Sequence, residues 1–126
     1  MSLRSPLGRV LGLGSAKSGA GHWWAQRVTA VALVPLGLWF LISLLALPAI
    51  DEATVRAWLA SPASAAFACL LVGVLGYHAL LGVSVVVEDY VHAPGLRIAS
   101  LLGLRFGFAL AGAAALLAIL KVALGH

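Results

Sequence analysis

Three long apolar runs, separated by two short polar stretches, dominate the pattern of this chain. They cover about residues 28–50, 64–87 and 98–120. Each has about the 20 apolar residues that a helix needs to cross the hydrocarbon core of a bilayer. The third run contains one charged side chain, Arg105. The pattern therefore predicts an all-α integral membrane protein with three transmembrane helices, in a single domain over residues 1–126.

The polar stretches predict how the runs are connected. Met1–Gly21 combines basic residues with many glycines, so we expect an extended aqueous arm there. The stretch at residues 51–62 is acidic, and its Trp58 suggests a short helix at the membrane surface. The stretch at residues 88–97 contains a Pro-Gly pair, which we expect to break the helix and form the second loop.

Composition agrees with a membrane protein and excludes several other classes. Hydrophobic residues make up 63% of the chain and charged residues 10%, whereas soluble domains have about 25% charged residues. The eight basic residues are not gathered into a stripe, so no nucleic-acid partner is expected. The single Cys69 cannot form a disulfide within the chain. P-loop, CxxC and HExxH motifs are all absent from the sequence.

The distribution of basic residues predicts the orientation in the membrane. Arg4, Arg9 and Lys17 precede the first run, and Arg97 and Arg105 follow the second. In a three-helix arrangement both groups fall on one side, and the other side has only two basic residues. By the positive-inside rule the N-terminus is cytoplasmic. The start of the first run and the end of the second run then share the cytoplasmic face.

His78 is the only strongly polar side chain between Ala65 and Val87. An imidazole without a partner in hydrocarbon is costly, so His78 needs one. It could be a structural histidine bonded to a neighbouring helix, a proton relay, or an axial ligand of haem iron. The haem interpretation fits best, because imidazole is a standard haem ligand and Gly82 leaves room for a porphyrin edge on the same face.

A second polar group lies at the cytoplasmic end of the second run. Asp89 follows His78 by eleven residues, which returns to nearly the same helix face roughly 16 Å further along the axis. Tyr90 can donate a hydrogen bond to a quinone oxygen, and Asp89 can orient water or pass protons. His22 and Arg27 lie at the same level and could hold an anion. The simpler alternative for His22 and Arg27 is anchoring at the membrane surface, and for Asp89 and Tyr90 it is a loop residue at the helix end and an aromatic of the membrane belt.

Two stretches carry a resemblance to a known family. They are GSAKSGAGHWWAQRVTAVALVPL at residues 14–36 and YHALLGVSVVVEDYVH at residues 77–92. The chain resembles the hydrophobic membrane anchor subunits of succinate dehydrogenase, respiratory complex II, particularly those of the alphaproteobacterial and mitochondrial kind. The resemblance covers essentially the whole chain. The spacing of His, Asp and Tyr at the end of the second span is the family's own arrangement.

The resemblance implies a role for each candidate residue. His78 takes the place of an axial ligand of haem b, Asp89 and Tyr90 border the ubiquinone site, and Arg27 and His22 lie near the haem propionates. The three helices would be half of a haem-binding bundle that the C anchor subunit completes. An iron–sulfur subunit would deliver electrons from a flavoprotein subunit that oxidises succinate. The chain would reside among the lipids of a bacterial inner membrane and have no enzymatic activity alone.

Two other functions remain open at this point. The anchor of a quinol:fumarate reductase would have the same site, because the direction of the reaction depends on the relative potentials of the quinone and the clusters. A small membrane scaffold without a redox role would use His78 only as a hydrogen bond between helices.

Overall fold

The computed structural model of this chain describes residues 17–126, with side chains from residue 19 onward. Over that range it contains four helices, α1 (Lys17–Ala46), α2 (Glu52–Ala60), α3 (Pro62–Tyr90) and α4 (Pro94–Ala123). Three of them, α1, α3 and α4, are long and apolar enough to cross a bilayer. This confirms the predicted all-α architecture with three transmembrane helices. Each of these helices is longer than the apolar run that predicted it.

The first helix extends into the segment that the sequence assigned to an extended arm. Residues 17–21 are helical, so the prediction of an extended arm over residues 1–21 is wrong for this part. Two glycines disfavour helix there, but each residue added to an existing helix gains a backbone hydrogen bond without a new nucleation step. Residues 1–16, with Arg4 and Arg9, lie outside the described residues.

The effect of proline on the helices of this chain depends on its position, as four prolines show. Pro35 lies inside α1, which continues through it as a membrane helix can when the freed backbone groups are satisfied locally. Pro48 follows the end of α1 by two residues. Pro62 and Pro94 stand in the first turn of α3 and α4, where the missing N–H would have no helical partner anyway.

The second loop is much shorter than the sequence pattern predicts. We expected a loop over residues 88–97, but α3 continues to Tyr90 and α4 begins at Pro94, which leaves only Val91–Ala93 between them. The prediction treated the Pro-Gly pair as a helix breaker, whereas the proline starts α4. Asp89 and Tyr90 therefore belong to the last turn of α3.

The predicted short helix in the first polar stretch is confirmed as α2. Asp51 caps it, since its Oδ1 accepts a hydrogen bond from the backbone N–H of Thr54 at 2.8 Å. This bond, and a weaker contribution from the Thr54 hydroxyl, lower the pKa of Asp51 from its ordinary value. One turn into α2, the Arg56 Nε donates to Glu52 at 2.9 Å in an exposed ion pair that adds little stability.

Aromatic side chains fix α2 against the two helices that flank it. The Trp58 ring of α2 stacks on Trp39 of α1 with centroids 5.6 Å apart. Trp39 also meets Phe67 of α3 at 5.3 Å, and Phe40 lies 6.2 Å from Trp58. These contacts join α1, α2 and α3 at the end of the molecule where α1 finishes and α3 starts.

The three long helices lie side by side with α3 in the middle. α3 packs against α1 on one side and α4 on the other, and no Cα atoms of the described parts of α1 and α4 come within 8 Å of each other. The buried side chains within residues 19–126 are few, namely Thr29, Leu36, Ala65, Ala68 and Leu81. The described helices therefore form an open layer with an apolar cavity of about 540 Å³ to which all four contribute, and most of its surface is left for lipid or other protein chains.

Candidate functional site

The candidate site begins with a contact between the first and second spans. Nδ1 of His78 in α3 lies 2.8 Å from the hydroxyl oxygen of Thr29 in α1. Thr29 is the buried polar residue of the described chain, and His78 is half-buried. Among the residues that the structure describes, no other side chain hydrogen-bonds the His78 ring. One ring nitrogen is therefore held by α1, and Nε2 has no hydrogen-bond partner among the described residues.

A cavity between the same two helices begins about one turn from this contact, towards the start of α1, and neither Thr29 nor His78 lines it. It has a volume of about 470 Å³ and is lined from α1 by Gly19, His22, Trp23, Gln26 and Arg27, and from α3 by Gly82 and Val85. Gly82 lies one turn beyond His78 on the same face. A Cβ added to Gly82 would meet only the amide nitrogen of Gln26, at 3.9 Å. The glycine thus keeps this wall of the cavity open.

The contacts between α1 and α3 also establish their relative direction. Thr29 of α1 contacts His78 of α3, and Gln26 of α1 lies opposite Gly82 of α3. Moving back by three residues in α1 thus corresponds to moving forward by four residues in α3. The two helices are therefore antiparallel. The first turns of α1 and the last turns of α3 come to the same end of the molecule, as the orientation argument from the sequence requires.

Polar groups that lack partners face the inside of this interface. The side-chain atoms Nε2 of His22 and Oε1 of Gln26 are buried without a hydrogen-bond partner among the described residues. Arg27 is exposed, and its guanidinium lies 5.5 Å from the Trp23 ring centroid in a cation–π contact. Buried polar atoms normally have partners, so the cavity fits an additional polar or anionic group near His22 and Arg27.

The structure places Asp89 and Tyr90 apart from His78 but on the same continuous helix. Both are exposed, and Tyr90, with 78% of its surface accessible, is the last residue of α3. Because α3 is unbroken from His78 to Asp89, the predicted sharing of one face is compatible with the observed geometry. The two residues form a rim beyond the cavity rather than a part of its lining.

Arg105 lies on the other side of α3 from this cavity. It lines a separate groove of about 200 Å³ between α3 and α4, together with Tyr77 and three glycines at positions 73, 76 and 112. The Gly103–Gly107 pattern lines a further groove between the same two helices, of about 520 Å³. Both grooves lie between α3 and α4, whereas the Thr29–His78 contact lies between α1 and α3, so the polar residues of α4 are not part of the candidate site.

Two residues of the site, Thr29 and Gln26, are missing from the candidates that the sequence suggested. The sequence does contain a signal for them, because His22, Gln26 and Thr29 are spaced by four and three residues and so share one face of a helix. A polar stripe on an otherwise apolar helix indicates a face that meets another polar group. Which helix it meets is known only from the structure.

Comparisons with known proteins agree with the arrangement of the spans. The family model described as "Succinate dehydrogenase/Fumarate reductase transmembrane subunit" matches residues 1–122. The chain is 40% identical to the succinate dehydrogenase hydrophobic membrane anchor subunit of Rickettsia bellii, over 75% of each chain. It is 32% identical to the subunit of the same name from Paracoccus denitrificans, over 90% of this chain and 88% of the relative. No solved structure matches.

A third relative comes from outside these bacteria. The succinate dehydrogenase membrane anchor subunit of Reclinomonas americana is 33% identical over 71% of this chain and 77% of its own length. The similarities thus extend over most of the chain and most of each relative. With three apolar helices and a family model that matches nearly the entire length, this chain belongs to the family of succinate dehydrogenase/fumarate reductase transmembrane subunits.

Proposed function

We propose that this chain is the hydrophobic membrane anchor subunit of a succinate:ubiquinone oxidoreductase. Together with a second anchor subunit it binds haem b and frames the site where ubiquinone is reduced. Family membership and the names of the relatives support the anchoring role. The haem and quinone roles rest on the placement of individual side chains.

The observation that carries the haem proposal is the environment of His78. Its imidazole is held through Nδ1 by Thr29, and no described residue engages Nε2. The open position at Gly82 and the adjoining cavity leave space for the edge of a flat macrocycle. His78 is the one histidine in the middle of a span, so a bis-histidine haem takes its second ligand from another chain. When bound, haem supplies a one-electron redox centre.

The charged end of the cavity fits the propionates of such a haem. Arg27 provides a positive charge at the cavity wall, and the buried Nε2 of His22 can donate a hydrogen bond when it carries the proton. Charge-assisted hydrogen bonds of this kind are stronger than neutral ones. These two residues would therefore hold the anionic edge of a bound haem.

The quinone role is assigned to the exposed last turn of α3. Tyr90 donates a hydrogen bond to one quinone carbonyl, and Asp89 supports proton delivery from the aqueous side. Electrons arrive from an iron–sulfur subunit that receives them from a flavoprotein subunit. These partners dock at the end of the layer where α1 begins and α3 ends, which is cytoplasmic in a bacterial inner membrane by the positive-inside rule.

The test is the spectrum of the complete complex with and without His78. The complex is purified from the membrane, and its reduced-minus-oxidised difference spectrum is recorded for the wild type and for His78→Leu. We expect a haem b band in the wild type and its loss or alteration in the variant. His126→Leu, at the exposed C-terminal end, is the matched control and should leave the band unchanged.

Each outcome separates the proposal from its competitors. A wild-type complex without haem would favour a membrane scaffold in which His78 only bonds α1. An unchanged band in His78→Leu would assign the iron to another residue. The family description also names fumarate reductase. A complex that reduces fumarate with quinol faster than it oxidises succinate with quinone would assign the chain to that reverse reaction.

A further inference from the structure

The hydroxyl group of Thr29 lies between α1 and α3 and is shared by several polar atoms. Thr29 lies in the interior of the first span and is only 8% exposed. Its oxygen contacts three polar atoms at once: the carbonyl oxygen of Ala25 at 2.7 Å, the carbonyl oxygen of Gln26 at 3.1 Å and Nδ1 of His78 at 2.8 Å. This crowding restricts where protons can be.

The proton count fixes the direction of the bond to His78. A threonine hydroxyl has one proton to donate, and a backbone carbonyl can only accept. At 2.7 Å the hydroxyl proton belongs on the line to Ala25, which is the usual bond of threonine to the carbonyl four residues earlier. The oxygen therefore presents a lone pair to His78. Nδ1 must carry a proton and donate it, because two lone pairs facing each other at 2.8 Å would repel.

The opposite assignment is disfavoured by the same distances. If the hydroxyl donated to Nδ1, the Thr29 oxygen would face two carbonyl oxygens at 2.7 and 3.1 Å with no proton between them. In a span with little access to water, such an arrangement has no compensation. The neutral imidazole thus has its proton on Nδ1 and its free lone pair on Nε2, so Nε2 is the nitrogen that can bind a metal ion.

We infer that Thr29 is a positioning residue for the haem ligand, because its buried hydroxyl holds the His78 ring in one tautomer and one orientation with Nε2 free for iron. This inference rests on the proposed haem role of His78. Partners that bind the second nitrogen of a metal-ligating histidine fix its orientation and raise its basicity. Here that partner lies on a different helix, so the ligand is oriented by the packing of α1 on α3.

The experiment compares variants of Thr29 in the complete complex. Thr29→Val has nearly the same shape but no hydroxyl, whereas Thr29→Ser keeps the hydroxyl and loses a methyl group. The rate of haem transfer to excess apomyoglobin measures how firmly the iron is held. We expect Thr29→Val to release haem about 10–100-fold faster than the wild type, the usual loss when such a partner is removed. Thr29→Ser should stay within about twofold of the wild type.

A spectroscopic measurement separates positioning from a general packing effect. The low-spin EPR signal of the oxidised haem depends on the orientation of its axial imidazoles. We expect altered g values in Thr29→Val and wild-type values in Thr29→Ser. Ser43→Ala, which removes another hydroxyl from α1 about 21 Å away along the axis, is the control and should leave both measurements unchanged.

The outcomes that overturn the inference are distinct from those that overturn the haem proposal. If the wild type contains haem that depends on His78, yet Thr29→Val matches it in release rate and g values, Thr29 has no positioning role. Equal disturbance by valine and serine would also contradict it. If neither Thr29→Val nor Thr29→Ala assembles although His78→Leu does, Thr29 acts in helix packing instead. Haem-free wild-type complex would remove both proposals together.

Discussion

Polar side chains form a row along the interface between α1 and α3. Thr29 and His78 meet in the interior, Gln26 faces Gly82 one turn closer to the surface, and His22 lines the cavity beyond. Buried polar groups in hydrocarbon persist when they find partners or serve a ligand. The Thr29–His78 pair is satisfied by the contact between α1 and α3, whereas Nε2 of His22 and Oε1 of Gln26 have no hydrogen-bond partner among the described residues.

The two tyrosines of the chain permit a matched comparison at the quinone rim. Replacing Tyr90 by Phe removes one hydroxyl from an exposed residue at the end of α3. Losing one hydrogen bond to the quinone should lower quinone reduction by roughly three- to tenfold, the equivalent of about 1 kcal/mol. Succinate oxidation with a soluble dye should be unchanged, because the dye takes electrons before the quinone site.

Tyr77→Phe is the control for this measurement. Its side chain lines the groove beside Arg105, away from the rim, so quinone reduction should stay at the wild-type rate. Equal loss of the quinone and dye activities in Tyr90→Phe would instead mean that Tyr90 supports assembly of the complex.

The open wall at Gly82 provides a second test at the scale of a residue. Gly82→Ala should keep the haem, since a Cβ there would be in ordinary contact with Gln26 at 3.9 Å. Gly82→Leu places a branched side chain in the cavity of about 470 Å³ and should lower the haem content several-fold. The ratio of haem to protein in the purified complex measures both. Full haem content in the leucine variant would show that the macrocycle does not pass this position.

At the scale of elements, the ends of the helices decide where functional side chains stand. The second loop is reduced to Val91–Ala93 because Pro94 starts α4 instead of breaking the chain. Asp89 and Tyr90 are consequently held by helical hydrogen bonds, with the N–H of Val91 bonded to Val87 as the last of the series. A rim built on a helix end is more rigid than the loop that the sequence pattern suggested.

The cap of α2 should make this short helix sensitive to acid. The backbone N–H of Thr54 lowers the pKa of Asp51, so the carboxylate stabilises α2 fully above the unfolded pKa of about 4. The stabilisation is lost as the pH falls through the lower folded value. We expect amide hydrogen-exchange protection in α2 to decrease below about pH 4 in the wild-type complex, measured by mass spectrometry.

Two substitutions of Asp51 distinguish the effect of its capping hydrogen bond from the effect of its titrating charge. Asp51→Asn keeps a good capping side chain without a titrating group, so α2 should stay protected but lose the pH dependence. Asp51→Ala should lower protection at every pH, because it removes the cap. A pH dependence that persists in the asparagine variant would assign it to another group.

At the scale of the whole molecule, the described residues bury few side chains among themselves. The described spans form a layer of three helices in which only five residues are buried, and large apolar side chains remain exposed along every span. Without water in the bilayer, apolar exposure is not penalised, so the layer can remain open to lipid. The cavity between α1 and α3 nevertheless leaves Nε2 of His22 and Oε1 of Gln26 without a partner among the described residues.

This incompleteness predicts that haem binding belongs to the assembly. The chain expressed alone should bind no haem and should accumulate poorly, whereas co-expression with the other anchor subunit should restore both. Immunoblotting of membranes measures the amount, and the haem b band measures binding. Stable haem in a preparation that contains only this chain would contradict the prediction. Its measured mass would then show whether two copies supply the two histidines.

The sequence alone determined the membrane class, the number of spans and the family. Apolar runs of more than 20 residues are long enough to cross a bilayer, and a helix satisfies the backbone polar groups of each run internally. The spacing of His78, Asp89 and Tyr90 lies within one such helix. Neither the spans nor this spacing therefore depends on long-range packing. The comparisons confirm the family. The roles of the site residues, and of haem and ubiquinone, stay predictions.

The tertiary structure decided which polar groups meet. Hydropathy cannot show that Thr29 faces His78, because the rotation of α1 about its axis depends on how it packs against α3. It also cannot show that residues 17–21 extend the helix or that Pro94 starts one, since propensity and breaker rules depend on what lies on either side. The contact between Thr29 and the half-buried His78 joins two residues 49 positions apart in the chain, and only the packing of α1 on α3 creates it.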